Sequence, residues 1–422
     1  MSARPSGLAA YGAVTGAYWA FMLTDGALRM LVLLHFHQLG FGPLTLAYLF
    51  LLYELMGVVT NLSAGWIAAR FGLMTTLYGG LSLQIIALGA LTQLDPGWAL
   101  TTSVIAVMLV QGLSGVAKDL TKTGAKSAVK LLAPAEEAGA LFRWVALLTG
   151  SKNAVKGLGS LLGAGMLATI GFVPALTAMA IGLVLILVAL LLFMPSGLPS
   201  GRKGQAFRDV FSKDQRVNRL SAARLFLFGA RDCWFVVGVP LYFYAVLSDG
   251  TPESQRQAFF LIGCFMAVWI IGYGAIQALA PKLLRARHKS VTEIIDLERF
   301  WVGALTAILA VLAIAALVVP GQPLWFTLAL VLGLLLFGAV FALNSALHSY
   351  LILALTKAER VTLDVGFYYM SNAAGRLLGT LLSGLSFQLG GLWLCLAVAG
   401  GLSALSWLST GWLQRAEAAS PA

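Results

Sequence analysis

Charge is what this sequence has least of. Only 11% of its 422 residues are Asp, Glu, Lys or Arg, against 59% apolar ones, and a mean hydropathy of +0.87 excludes a soluble globular domain. Cysteine is also scarce. Cys233, Cys264 and Cys395 are the whole complement, and their isolation inside apolar runs excludes a disulfide framework or a thiolate metal site, leaving them as small buried hydrophobes. Histidine numbers four, and "HFH" at 35–37 is too isolated for a metal; it reads as interfacial polar residues, with His35 held in reserve as a proton relay. Acids are outnumbered, 17 Asp and Glu to 28 Lys and Arg. They are also scattered. Even "EIIDLER" at 293–299 is a helix start and not a clustered general base, so no enzyme, cofactor or metal site is expected.

Long apolar runs fill the chain instead. Runs of about 20 residues, enough to cross about 30 Å of hydrocarbon as a helix, recur twelve times. They cover 10–37, 43–69, 73–93, 99–131, 139–170, 173–194, 217–247, 257–281, 298–319, 323–355, 360–387 and 391–413. The fourth, fifth, seventh and tenth are long enough to require tilt or projection from the bilayer. Alternate connections carry the basic residues: Arg70; Arg202, Lys203, Arg208, Lys213 and Arg216; Lys282, Arg285, Arg287 and Lys289; Lys357 and Arg360; with Arg415 in the tail. The other connections hold only Arg256. Basic loops are retained in the cytoplasm, so a multi-pass membrane protein with both termini cytoplasmic is expected, and the net charge of +11 needs no nucleic-acid partner. The expected partners are the lipid bilayer and a small solute, with the chain a monomer. No cleavable signal is expected, because a full span follows Arg4.

The longest polar interval, "PSGLPSGRKGQAFRDVFSKDQRVN" at 195–218, divides the chain six plus six. The expected organisation is an N-terminal six-helix bundle at 1–194, a basic cytoplasmic linker at 195–216 and a C-terminal bundle at 217–422. Self-comparison supports duplication: "SKNAVKGLGSLL" at 151–162 and "SNAAGRLLGTLL" at 371–382 align without gaps at an offset of 220 residues. Lys156 then meets Arg376, and "DGALRM" in the first run weakly echoes "GARDCW" in the seventh. Two parallel six-helix halves related by an axis along the membrane normal resemble the plan of the major facilitator superfamily. The family's loop after the second helix is partly matched by "GWIAARFGLM": Gly65, Arg70 and Gly72 agree, while Ala69, Leu73 and Met74 replace its acidic and basic residues. The resemblance implies an all-α fold, twelve transmembrane helices in two pseudo-symmetric bundles around a central cavity, without the charge latch of that loop.

Lys118, Lys122, Lys126 and Lys130 fall four apart on one helix face. A cation at the bilayer centre costs on the order of 3 kcal/mol unless it meets water or a partner. Lys126 and Lys130 are near enough to a surface to snorkel. Arg29, Lys118, Lys122, Lys152, Lys156, Arg231 and Arg376 are deeper, with Arg143 and Arg224 nearer the cytoplasmic mouth. Four deep acids, Asp25, Glu54, Asp119 and Asp232, are too few to neutralise them; Asp25 suits Arg29 at i, i+4, and unpaired cations should remain. Such a surplus calls for a multivalent anion, bound by Arg forks and mobile Lys charges. The expected substrate-binding residues are those seven cations with Asn344 and His348, and the four acids are candidates for proton coupling. By the repeat, Lys156 and Arg376 should meet one oxyanion from two sides.

Four blocks carry a narrower resemblance: "YWAFMLTDGALRMLVLLHFHQLG", "GLSGVAKDLTKTGAKSAVKLL", "LTGSKNAVKG" and "FSKDQRVNRLSAARLFLFGARDCWFVVGVPLYF". Together they resemble the ArsJ branch of the superfamily, organoarsenical efflux permeases of bacterial arsenate resistance. That resemblance implies export of 1-arseno-3-phosphoglycerate, supplied by a glyceraldehyde-3-phosphate dehydrogenase as functional partner. The residues by themselves specify an organic polyanion, and an exchanger or importer of another organic phosphate is the alternative.

Overall fold

The computed structural model describes residues 7–71, 73–95, 97–132, 140–193, 212, 214–284, 289–356 and 361–418, without the side chains of 7–11, 62, 64–74, 126–150, 193 and 361–363. The loop motif at 65–74, the side chains of Lys126, Lys130 and Arg143, and nearly all of the basic linker therefore lie outside the described residues.

Every backbone polar group in hydrocarbon must be satisfied within its own segment, which a helix does. Helix is accordingly the only regular structure among the described residues. Before the linker come α1 (Gly7–Gln38), α2 (Pro43–Phe71), α3 (Leu73–Leu91), α4 (Leu100–Leu132), α5 (Ala140–Thr169) and α6 (Phe172–Phe193). After it come α7 (Gln215–Leu247), α8 (Pro252–Leu283), α9 (Val291–Val318) and α10 (Leu324–Leu355). The last stretch, Val361–Ala418, is broken at Gly391, whose φ of 67° and ψ of −152° suit a residue without Cβ. The break yields α11 at 361–390 and α12 at 392–418. Helical segments thus stand at all twelve predicted runs.

The connections α1–α2, α5–α6, α7–α8, α9–α10 and α11–α12 are short, and each contains a glycine with positive φ. These are the connections poor in Lys and Arg. Helix starts are capped locally: Thr251 accepts from Ser254 N ahead of α8, and Ser290 and Glu293 form a reciprocal capping box on α9. Before α8, the Asp249 carboxylate accepts from Ser254 Oγ at 2.5 Å and from Thr251 N at 2.9 Å. Those hydrogen bonds, the one from Ser254 first, pull its pKa down to about 2.

Outward faces are apolar. Leu185, Leu191 and Leu192 on α6 are 64%, 60% and 71% exposed, as befits helices whose solvent is lipid tail. The same physics corrects one expectation: Cys233 and Cys395 are buried, but Cys264 on α8 is exposed.

Close contacts gather the chain into two compact units. Unit 1 comprises Met1–His35, Ser63–Phe207 and Phe259–Ile271; unit 2 comprises Phe36–Leu62, Arg208–Ala258 and Gly272–Ala422. In unit 1, α1 and α5 touch backbone to backbone, since a Cβ at Gly159 would strike the Leu23 carbonyl and one at Gly163 the Ala27 carbonyl. Unit 2 uses the same device between α7 and α11, with Gly375 against the Leu225 carbonyl and Gly379 against that of Gly229. Small residues permit this approach where no hydrophobic force drives helices together. Residues 259–271 of α8 join α5 in unit 1 through Gly157 and Gly263, and α2 joins α11 in unit 2 through Gly384.

Candidate functional site

In unit 1 the close approach of α1 to α5 sets the Asp25 carboxylate 2.7 Å from Lys156 Nζ. Asp25 therefore reaches across to a neighbouring helix, where the i, i+4 spacing had pointed to Arg29. The acid is 2% exposed and the lysine 22%, so the pair is closed on one side and open on the other. On α4, Lys122 Nζ lies 3.0 Å from the nearly buried Asp119. Trp19 on α1 donates to Ser151 Oγ on α5 at 2.8 Å. Lys118 is buried and Arg29 and Lys152 are half-buried, and none of the three is without a partner.

Unit 2 repeats the arrangement with more charge. Arg376 on α11 donates from Nε to Asp232 on α7 at 3.0 Å and from Nη2 to Glu54 on α2 at 2.6 Å. Arg231 in turn donates to the other oxygen of Asp232, at 2.6 Å from Nε. Both acids are 1% exposed, while the arginines keep 17% and 14% of their side-chain surface. The Phe228 ring separates Arg231 from Arg224, with guanidinium carbons 4.6 Å and 4.0 Å from its centroid. Arg224, expected nearer the mouth, is buried and bonded to neutral groups, Asn372 Oδ1 at 3.0 Å and Ser345 Oγ at 3.0 Å. Tyr273 and Gln277 on α8 also reach Ser345 Oγ.

All four predicted acids thus sit on predicted cations. Lys122, Lys156, Arg231 and Arg376 are thereby paired, as suits a charge in low dielectric, which is expensive without a partner. The repeat is written in the pairing itself. A carboxylate on α1 or α7 holds the cation at the matching position of α5 or α11.

Residues Trp234–Gly238 of α7 wind as a π-turn directly after this pair. Pro240 carries no N–H, so an α-helical ladder cannot pass it intact. Ser383 Oγ on α11 accepts from Val237 N and Gly238 N, both at 3.1 Å. Such bulges concentrate at functional sites. The proline within an apolar run was the available signal for it.

Asn344 and His348, expected to line a cavity, are fully buried on α10 against Glu298 of α9. Glu298 had been passed over as part of a helix start. His35 stacks on Phe172 in unit 1, and His37 meets the Tyr244 ring edge-on in unit 2.

The Major Facilitator Superfamily profile matches residues 14–352. Among solved structures, the chain is similar to the nucleoside transporter NupG in a mutant form, with TM-score 0.72 and 16% identity over 96% of this chain and 99% of that one. It is also similar to a POT family transporter in complex with thioalcohol conjugated peptide, with TM-score 0.68 and 16% identity over 94% of each chain. A POT family transporter in complex with 5-aminolevulinic acid gives TM-score 0.68 and 16% identity over 95% and 94%. No curated protein sequence matches. With its helices, its paired repeat and a family match spanning most of its length, this chain belongs to the major facilitator superfamily and is a multi-pass membrane transporter.

Proposed function

We propose that the chain exports a small organic polyanion by alternating access, with 1-arseno-3-phosphoglycerate as substrate and arsenate resistance as outcome. The observation that carries the reading is the state of Arg376 and Arg231. Their donors are held by Asp232 and Glu54 at hydrogen-bond distance, yet both arginine side chains keep some exposed surface. A carboxylate there stands where an oxyanion of substrate would stand. Arrival of a phosphate or arsenate group with a planar pair of acceptors would exchange with Glu54 on the Arg376 fork and release that acid. Lys156, Lys122, Lys118, Lys152 and Arg29 supply the matching charge in unit 1, with Asp25 and Asp119 as the acids to be displaced. A displaced acid that takes up a proton would link anion exchange to proton movement, with Asp25, Glu54, Asp119 and Asp232 as the candidates for that coupling.

The narrower choice of substrate rests on the sequence blocks that resemble organoarsenical permeases. A molecule with a phosphate at one end and an arsenate ester at the other carries several negative charges, which suits a chain this rich in deep cations. The glyceraldehyde-3-phosphate dehydrogenase that makes it would be the functional partner, in a bacterial inner membrane with both termini in the cytoplasm. Cellular arsenate accumulation tests this, in cells expressing the chain with and without that dehydrogenase. Reduced accumulation only when both are present supports the reading. Unchanged accumulation beside uptake of another phosphate ester would replace it with import or exchange.

A further inference from the structure

Unit 2 holds a second ionisable group, apart from the pairs on α7 and α11. Glu298 and His348 are both fully buried, with Glu298 Oε1 2.9 Å from His348 Nε2. Asn344, one turn before His348, donates from Nδ2 to the Glu298 carbonyl at 3.1 Å. Val217, Ile294, Ile295, Leu347 and Leu351 pack in the surrounding apolar layer. Within it, Glu298 Oε2, His348 Nδ1 and Asn344 Oδ1 have no hydrogen-bond partner among the described residues.

A structural imidazole has its second nitrogen fixed by a partner, which sets the tautomer. No described residue fixes His348 in that way. Its one short contact therefore serves two arrangements: a ring N–H donating to a carboxylate, or a carboxylic acid donating to a neutral ring nitrogen. A carboxylate buried with one oxygen unfilled is expensive, and a proton shared with the ring lowers that cost. The charged and titratable groups around the pair on neighbouring helices include Arg224 on α7 and Tyr273 on α8, both at Ser345, and Tyr368 and Tyr369 on α11. Arg224 reaches Ser345, one turn from His348, and has only neutral hydrogen-bond partners. Tyr368 OH is likewise unpartnered in the same layer. On α9 itself, Asp296 and Arg299 are turned to Gln414 of α12.

We infer that Glu298 and His348 form a proton-binding site enclosed in unit 2, which takes up and releases one proton through their uncommitted atoms when water reaches the layer. The site is independent of which anion the chain carries. The two groups were legible only once α9 and α10 were packed together.

The test needs no substrate. Infrared difference spectra of the purified full chain in nanodiscs, between about pH 5 and pH 9, read the C=O stretch of a protonated carboxyl. A band that titrates in the wild type should vanish in Glu298→Gln. In His348→Gln its midpoint should move by about one pH unit, a tenfold change in proton affinity. Should those variants fail to fold, a chain carrying His35→Asn, His37→Asn and His288→Asn leaves the site intact, and nitrogen NMR reads its one remaining ring. That ring should change protonation or tautomer in the same range. A band that survives Glu298→Gln, a midpoint unmoved by His348→Gln, or a ring locked in one tautomer throughout would overturn the inference.

Discussion

The α1–α5 pair of unit 1 and the α7–α11 network of unit 2 are two versions of one device, differing in how many charges depend on each cation. Lys156 holds the nearly buried Asp25. Arg376 holds two, Asp232 and Glu54, and Arg231 shares the first of them. A lysine is a point charge on a mobile stem, whereas an arginine fork fixes two acceptors at once. Duplication preserved the position of the cation and let its chemistry diverge. Unit 1 is accordingly the simpler clasp, and unit 2 the junction of three helices.

The largest effect should come from removing the cations. Arg376→Ala removes a cation from buried Glu54 and from Asp232, which keeps Arg231, while Lys156→Ala removes one from Asp25, and breaking a buried pair costs about 3–5 kcal/mol. Thermal unfolding in detergent should show a larger loss of Tm for Arg376→Ala, and equal losses would erase the distinction between the units. Compensated variants sharpen it: Asp25→Asn with Lys156→Gln should recover most of the Tm lost by Lys156→Ala while transport stays absent. Recovery of transport as well would make the pair purely structural.

Relieving competition is the next step down. Glu54→Gln takes the second anion from Arg376, so inorganic phosphate should bind on the order of tenfold tighter, about 1.4 kcal/mol, by equilibrium dialysis with the purified chain. No gain, or weaker binding, would mean that Glu54 does not occupy the anion's place. At the π-turn, Ser383→Ala removes the hydroxyl to which Val237 N and Gly238 N donate and should cost about 1–3 kcal/mol in Tm-derived stability, with Ser383→Thr retaining more.

The smallest effect belongs to a loop. Asp249 has a folded pKa of about 2, below its ordinary 3.8, so its contribution is present above about pH 4 and is lost as pH falls toward 2. The acid limb of the unfolding profile should flatten slightly in Asp249→Asn.

The apolar runs made the helices legible because hydrocarbon thickness imposes one length on all of them. The 220-residue offset picked out Lys156 and Arg376 for a similar reason, since duplication repeats position. Their partners were not legible. Spacing along one helix pointed Asp25 to Arg29; that glycine contacts also bring α5 near enough for Lys156 is a property of two helices together. Glu298 and His348 lie fifty residues apart, and no local pattern joins them.

The outward leucines of α6 carry a different lesson. Side chains such as Leu185 and Leu192 face a fluid that has no shape of its own, so Ile, Val or Phe would fill the same place without leaving a void. Deep mutational scanning should find that face permissive to any apolar letter and closed to charge. Ancestry and chance would then decide which letter stands there, and comparison among descendants would find drift on the lipid-facing leucines and memory at the paired charges.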